Sequence, residues 1–186
     1  ASLSQEYRYI DANKPDGKII LFDKRIDDLE YSISHFGDRW YIVTNKDKAI
    51  NFKLMVCKEG ETNSKNWVDF IPHRDDTLLE GIDIFKDFLV VTERSNGLRK
   101  IQIKPWNNNK SHYIKFDEEV YSLYSSTNIQ MNTNKFRYSY SSMTTPNSVI
   151  EYDMITRDSL ILKETEVLGG KFNKKNYHTM RVWAPA

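Results

Sequence analysis

The sequence contains one cysteine, Cys57, so no disulfide can close within the chain and no cysteine-rich metal site can be built. Cys57 ends the apolar run Leu54-Met55-Val56, where a thiol acts as a small core residue rather than a nucleophile. A lone reduced thiol fits a reducing compartment, and a cytoplasmic parent protein is expected on that basis. Long apolar runs are also missing: no stretch approaches the ~20 residues that span a bilayer. The opening Ala1-Ser2-Leu3-Ser4 does not read as a signal peptide, and it lacks an initiator Met, as expected of a chain processed or cut from a longer one. Charge of one sign is scarce, with 27 basic against 26 acidic side chains. No broad field favours nucleic acid or an anionic membrane, and neither is expected as a partner. Glycine is sparse and badly spaced for hydrolase chemistry. A nucleophile elbow needs Gly-x-Ser-x-Gly, and no serine lies midway between two of Gly17, Gly37, Gly60, Gly81, Gly97, Gly169 and Gly170.

Aromatic residues, by contrast, are plentiful at 13%, and they favour strands. Two kinds of run recur. Phe52-Lys53-Leu54-Met55-Val56, Leu98 to Ile103, Tyr113-Ile114-Lys115-Phe116 and Val149 to Tyr152 alternate, which predicts outer strands with one buried and one wet face. Trp40-Tyr41-Ile42-Val43 and Phe88-Leu89-Val90-Val91 are apolar throughout, which predicts strands covered on both faces. Pro15-Asp16-Gly17, Ser95-Asn96-Gly97 and Pro146-Asn147 supply turn chemistry between such runs. Leu79, Ile82, Phe85 and Leu89 have helical spacing, but Gly81 and the turn-like Lys86-Asp87 favour strands there.

The runs repeat. Phe36-Gly37-Asp38-Arg39-Trp40-Tyr41-Ile42-Val43-Thr44 matches Phe85-Lys86-Asp87-Phe88-Leu89-Val90-Val91-Thr92 with one residue dropped, and Leu-Glu precedes both, at Leu29-Glu30 and Leu79-Glu80. A weaker copy runs from Val120-Tyr121-Ser122-Leu123 through Phe136 to Tyr140. A unit of about 40–50 residues is the size of a four-stranded propeller blade. The expected fold is therefore all-β, a β-propeller fragment of four-stranded antiparallel blades spanning 1–166. Glu6 to Asp11 and Lys18 to Lys24 would be two outer strands of a half blade (5–25). Three full blades follow at 29–73, 79–117 and 120–165, and 167–186 forms a linker.

Further residues carry a resemblance. Tyr138-Ser139-Tyr140-Ser141-Ser142-Met143-Thr144-Thr145-Pro146, followed by Glu151-Tyr152-Asp153-Met154, resembles the last propeller blade of the oligopeptidase B (protease II) group in the prolyl oligopeptidase family. Ala49-Ile50-Asn51-Phe52-Lys53-Leu54, Ile71-Pro72-His73-Arg74 and Glu93-Arg94-Ser95-Asn96-Gly97-Leu98 extend it over essentially the whole chain. The resemblance implies a propeller inserted in an α/β-hydrolase whose Ser-Asp-His triad cleaves short peptides after Arg or Lys. The propeller covers that site and excludes folded proteins. On this reading the triad lies beyond residue 186, no cofactor or metal is needed, and the partners are the chain's own C-terminal hydrolase domain and short peptide substrates. Met180-Arg181-Val182-Trp183 would be the segment returning to the hydrolase.

Candidate site residues are few. His35, His73, His112 and His178 have no metal-ligand spacing. Asp75 and Asp76 point apart on an extended chain and do not converge on one proton or metal. Arg74, Asp75 and Arg94 are the candidates for contact with the hydrolase domain, against ordinary surface charge. Lys171 to Arg181, basic with Phe172 and Tyr177 interleaved, reads as an interdomain linker rather than a nucleic-acid strip. Open blade faces rich in Tyr, Ile and Leu would let the isolated chain self-associate. The alternative function is a stand-alone propeller scaffold for protein binding, because the fold alone fixes no activity.

Overall fold

A computed structural model describes residues 3–107 and 110–185. Fourteen strands form: β1 Arg8–Tyr9, β2 Ile20–Leu21, β3 Tyr31–Phe36, β4 Arg39–Thr44, β5 Lys53–Lys58, β6 Val68–Ile71, β7 Thr77–Ile84, β8 Phe88–Ser95, β9 Leu98–Pro105, β10 His112–Tyr113, β11 Ser122–Ser125, β12 Lys135–Ser141, β13 Ser148–Asp153 and β14 Ser159–Glu164. No α-helix occurs among the described residues. The strands build one two-stranded sheet, β1-β2, and three four-stranded meanders, β3-β4-β5-β6, β7-β8-β9-β10 and β11-β12-β13-β14. The expected half blade and three full blades are all present. The helical spacing at Leu79 to Leu89 gives way to the end of β7, a turn at Phe85–Asp87 and the start of β8.

The chain divides into two compact units, Ala1–Glu80 and Gly81–Ala186. In the first, Phe22, Leu29, Tyr31, Trp40, Ile42, Met55, Cys57 and Trp67 form one core, with Tyr7 and Tyr9 packed against it. Phe22 meets Trp40 edge-on at 5.1 Å, and Tyr9 lies 5.0 Å from Trp40. Tyr7 and Tyr9 of the first strands are therefore packed against the following sheet. The half blade is also more ragged than expected, because only Arg8–Tyr9 and Ile20–Leu21 pair. What it exposes is Ile10, Ile19, Ile20 and Leu21. Cys57 is buried and free, and burial raises its thiol to about 11, so it is chemically quiet. In the second unit, Phe85, Phe88, Val90, Ile101, Ile103 and Ile114 of one sheet pack with Leu123, Phe136, Tyr138, Tyr140, Tyr152 and Met154 of the next.

The fully apolar runs behave as expected: β4 is buried from Trp40 to Thr44 and β8 from Phe88 to Val91. Both are second strands, flanked in their sheet and covered on both faces. Phe52 to Val56 does not behave as expected. It reads as an alternating outer strand with a wet face, yet β5 is buried from Lys53 through Cys57. The one charged position in this buried stretch is Lys53. Its ammonium lies 3.0 Å from Asp47 and 2.8 Å from Asp69, so its charge is neutralised where it is buried. Burial pulls its pKa down, but hydrogen bonds to the two carboxylates outweigh that and leave it raised.

Candidate functional site: the loop end that holds the terminal segment

In the second unit, one end of each sheet carries the turn between its second and third strands. The segment linking the two sheets and the terminal segment meet these turns. Between β8 and β9 the chain reverses at Asn96 and Gly97, both left-handed at φ 51° and 75°. Asn-Gly is the pair that a two-residue hairpin of this twist demands. Arg94, one of the expected contact residues, stays at this turn: its Nη1 donates to the Gly97 carbonyl at 3.4 Å. Arg181, from the terminal segment, donates from Nη1 to the Asn96 carbonyl at 2.7 Å. A Cβ on Gly97 would sit 3.3 Å from Arg181 Nη2, so the glycine also leaves room for the guanidinium. The Arg181 amide donates to Glu119 Oε2 at 3.1 Å, and its guanidinium lies over the Trp183 ring at 4.4 Å.

Glu118, beside Glu119, organises the second turn, between β12 and β13. Its carboxylate accepts from Tyr140 Oη at 2.5 Å, Ser142 Oγ at 2.7 Å and Thr145 Oγ1 at 3.2 Å, and also from Thr144 Oγ1. Ser142 Oγ in turn accepts the amides of Thr144 at 3.0 Å and Thr145 at 2.9 Å. This explains the Ser-Ser-Met-Thr-Thr-Pro run: three of its hydroxyls and one tyrosine converge on a single acid. Burial pushes the Glu118 carboxyl up, but the hydroxyl donors outweigh it and hold it below the usual glutamate range. The same contact and burial raise Tyr140, with burial the larger cause. Tyr140 also stacks on Phe116, 5.1 Å apart and nearly parallel. A cleft of about 420 Å³ opens beside the network, lined in part by Phe116, Glu118, Thr144, Lys174 and Lys175. Met143, at the tip of the turn, is 87% exposed.

The other expected contact residues lie in the first unit. Asn51 donates from Nδ2 to the carbonyls of Arg74 at 3.2 Å and Asp75 at 2.8 Å. The Asp75 side chain is fully exposed and 3.6 Å from His73 Nδ1. Arg74 and Asp75 are thus brought together through their backbone, which pins the loop after β6 to the loop before β5. That second loop holds Asp47, Lys48 and Phe52 at positive φ. Reading the sequence for charge missed Asn51, Glu118 and Glu119. The hydroxyl-rich run before Pro146 was the one available signal for Glu118. Among the described residues no cluster of His, Cys, Asp and Glu is arranged to hold a metal ion. His112, whose ring nitrogen lies 2.8 Å from Tyr152 Oη, serves packing between two sheets.

Comparison with known proteins supports this architecture. Residues 1–165 match the family model for the prolyl oligopeptidase N-terminal β-propeller domain. The chain is 40% identical over 186 residues to dipeptidyl aminopeptidase BI of Pseudoxanthomonas mexicana, covering 100% of this chain and 25% of that protein. It is 26% identical over 181 residues to protease 2 of Moraxella lacunata, covering 97% of this chain and 25% of that protein. It superposes on oligopeptidase B of Trypanosoma brucei, solved with covalently bound antipain in a closed form. The TM-score is 0.82 at 25% identity, covering 95% of this chain and 26% of that one. The chain spans about a quarter of the length of these proteins. It belongs to the propeller domain of the prolyl oligopeptidase family of serine peptidases.

Proposed function

We propose that this chain is the gating part of a serine oligopeptidase that hydrolyses short peptides after Arg or Lys, with the chemistry supplied by a hydrolase domain in the same polypeptide. One observation carries the reading. The terminal segment is clamped by Arg181 to the Asn96 carbonyl and to Glu119, at the end of the sheets where Arg94 and the Glu118 network lie. A segment tethered at that end lets a covering domain pivot without losing its register, and such closure confines substrate and expels water. Arg94 at this clamp, and Arg74 and Asp75 on the Asn51-pinned loop of the first unit, are the proposed contacts to the hydrolase.

A second reading of the cleavage rests on the relative named a dipeptidyl aminopeptidase, at 40% identity. An enzyme of that kind needs a free N-terminus two residues before the cut. The discriminating substrate for the intact protein is a short peptide with a blocked N-terminus and one internal Arg. Hydrolysis after that Arg, abolished by a serine-directed inhibitor, is the expected result. Cleavage only when the N-terminus is free would replace it with the dipeptidyl reading, and no serine-dependent hydrolysis would favour a binding scaffold.

The isolated chain is a different object. Leu160, Ile161 and Leu162 lie exposed in a row on the edge strand β14. An unpaired apolar edge invites a second copy. Light scattering of the isolated chain at tens of micromolar is expected to give a mass above the monomer's, and a clean monomer would contradict this.

A further inference from the structure

Met143 sits at the tip of the turn that the Glu118 network holds. Ser142, Thr144 and Thr145 all turn their hydroxyls toward Glu118. The Ser142 hydroxyl also takes the amides of Thr144 and Thr145, so the turn is fastened on both sides of Met143. The methionine itself points away and is 87% exposed. A rigid turn that displays one large apolar side chain is costly to leave in water and well suited to insertion in a partner. Methionine fits such a role because its unbranched thioether adapts to an imperfect socket.

The occupant follows from where the turn lies. Glu118 holds the turn, and its neighbour Glu119 holds the amide of Arg181. The displayed methionine and the tethered terminal segment therefore share one short loop, Asp117-Glu118-Glu119. Relatives extend about four times the length of this chain, so most of their mass lies outside it. Asp117 and Glu119 are exposed beside the turn and add negative charge there.

We propose that Met143 is a docking knob for the hydrolase portion of the intact protein, entering an apolar socket with a basic rim when the two domains close. Glu118 is a positioning residue that holds the knob. This rests on the gating reading above.

Oxidative footprinting of the intact protein tests the proposal residue by residue. Met131, 42% exposed on the loop between β11 and β12, serves as the internal reference. When a covalent serine-directed inhibitor locks the protein closed, the oxidation rate of Met143 relative to Met131 is expected to fall several-fold. Met143→Lys is expected to speed cleavage of long peptides relative to short ones, whereas Met143→Leu keeps the native ratio. A Met143 rate that tracks Met131 in both the free and the locked protein would overturn the docking. That result is separate from the gating itself, which is read from discrimination between short and long peptides in the unmodified protein.

Discussion

Replacing Phe136 by alanine is expected to destabilise the second unit by about 3–5 kcal/mol, the usual cost of deleting a buried phenylalanine ring. Phe136 is 0% exposed on β12, in the middle of the core that joins two sheets. Its ring meets Phe85 edge-on at 6.2 Å and stacks on Tyr138 at 6.0 Å. Losing it removes apolar burial and two aromatic contacts, and leaves a cavity that rigid strands on either side cannot close. Leu160→Ala on the exposed strand β14 is the control, with an expected change within about 0.5 kcal/mol. Denaturant midpoints for the two variants read the difference. Equal midpoints would mean that the sheets are not held by this core.

The repeat that placed Phe136 in a blade was legible because blades leave two periodicities in the chain. Trp40 to Val43 and Phe88 to Val91 are apolar without a break since both of their faces are covered. Asn96-Gly97 announces its hairpin because few other pairs tolerate two left-handed residues. Lys53 shows what periodicity cannot reveal. A lysine in an alternating run reads as a wet position, and only the placement of Asp47 and Asp69 makes its burial tolerable. The candidate site was less legible still. Arg181 reaches Asn96 across 85 positions and Glu119 across 62, distances over which local pattern carries no information. Asn51 is bonded to the carbonyls of Arg74 and Asp75, a contact that depends on no side chain of theirs and so leaves no mark at those two positions.

On the proposed gating reading, peptide length carries the largest functional effect expected of the intact protein. A propeller that covers a catalytic site admits a chain only if it can thread or slip past the closed edge. Peptide length should therefore enter the rate far more strongly than any local contact does. Replacing Arg181 with alanine removes the hydrogen bond to the Asn96 carbonyl and the stacking on Trp183. It loosens the tether and should narrow the discrimination without touching the serine chemistry. The most direct measurement is kcat/KM of the intact protein for one cleavable sequence, presented as a short peptide and again inside a stably folded protein. The account predicts rapid cleavage of the first and almost none of the second, with the Arg181→Ala protein intermediate; equal rates on both substrates would contradict it.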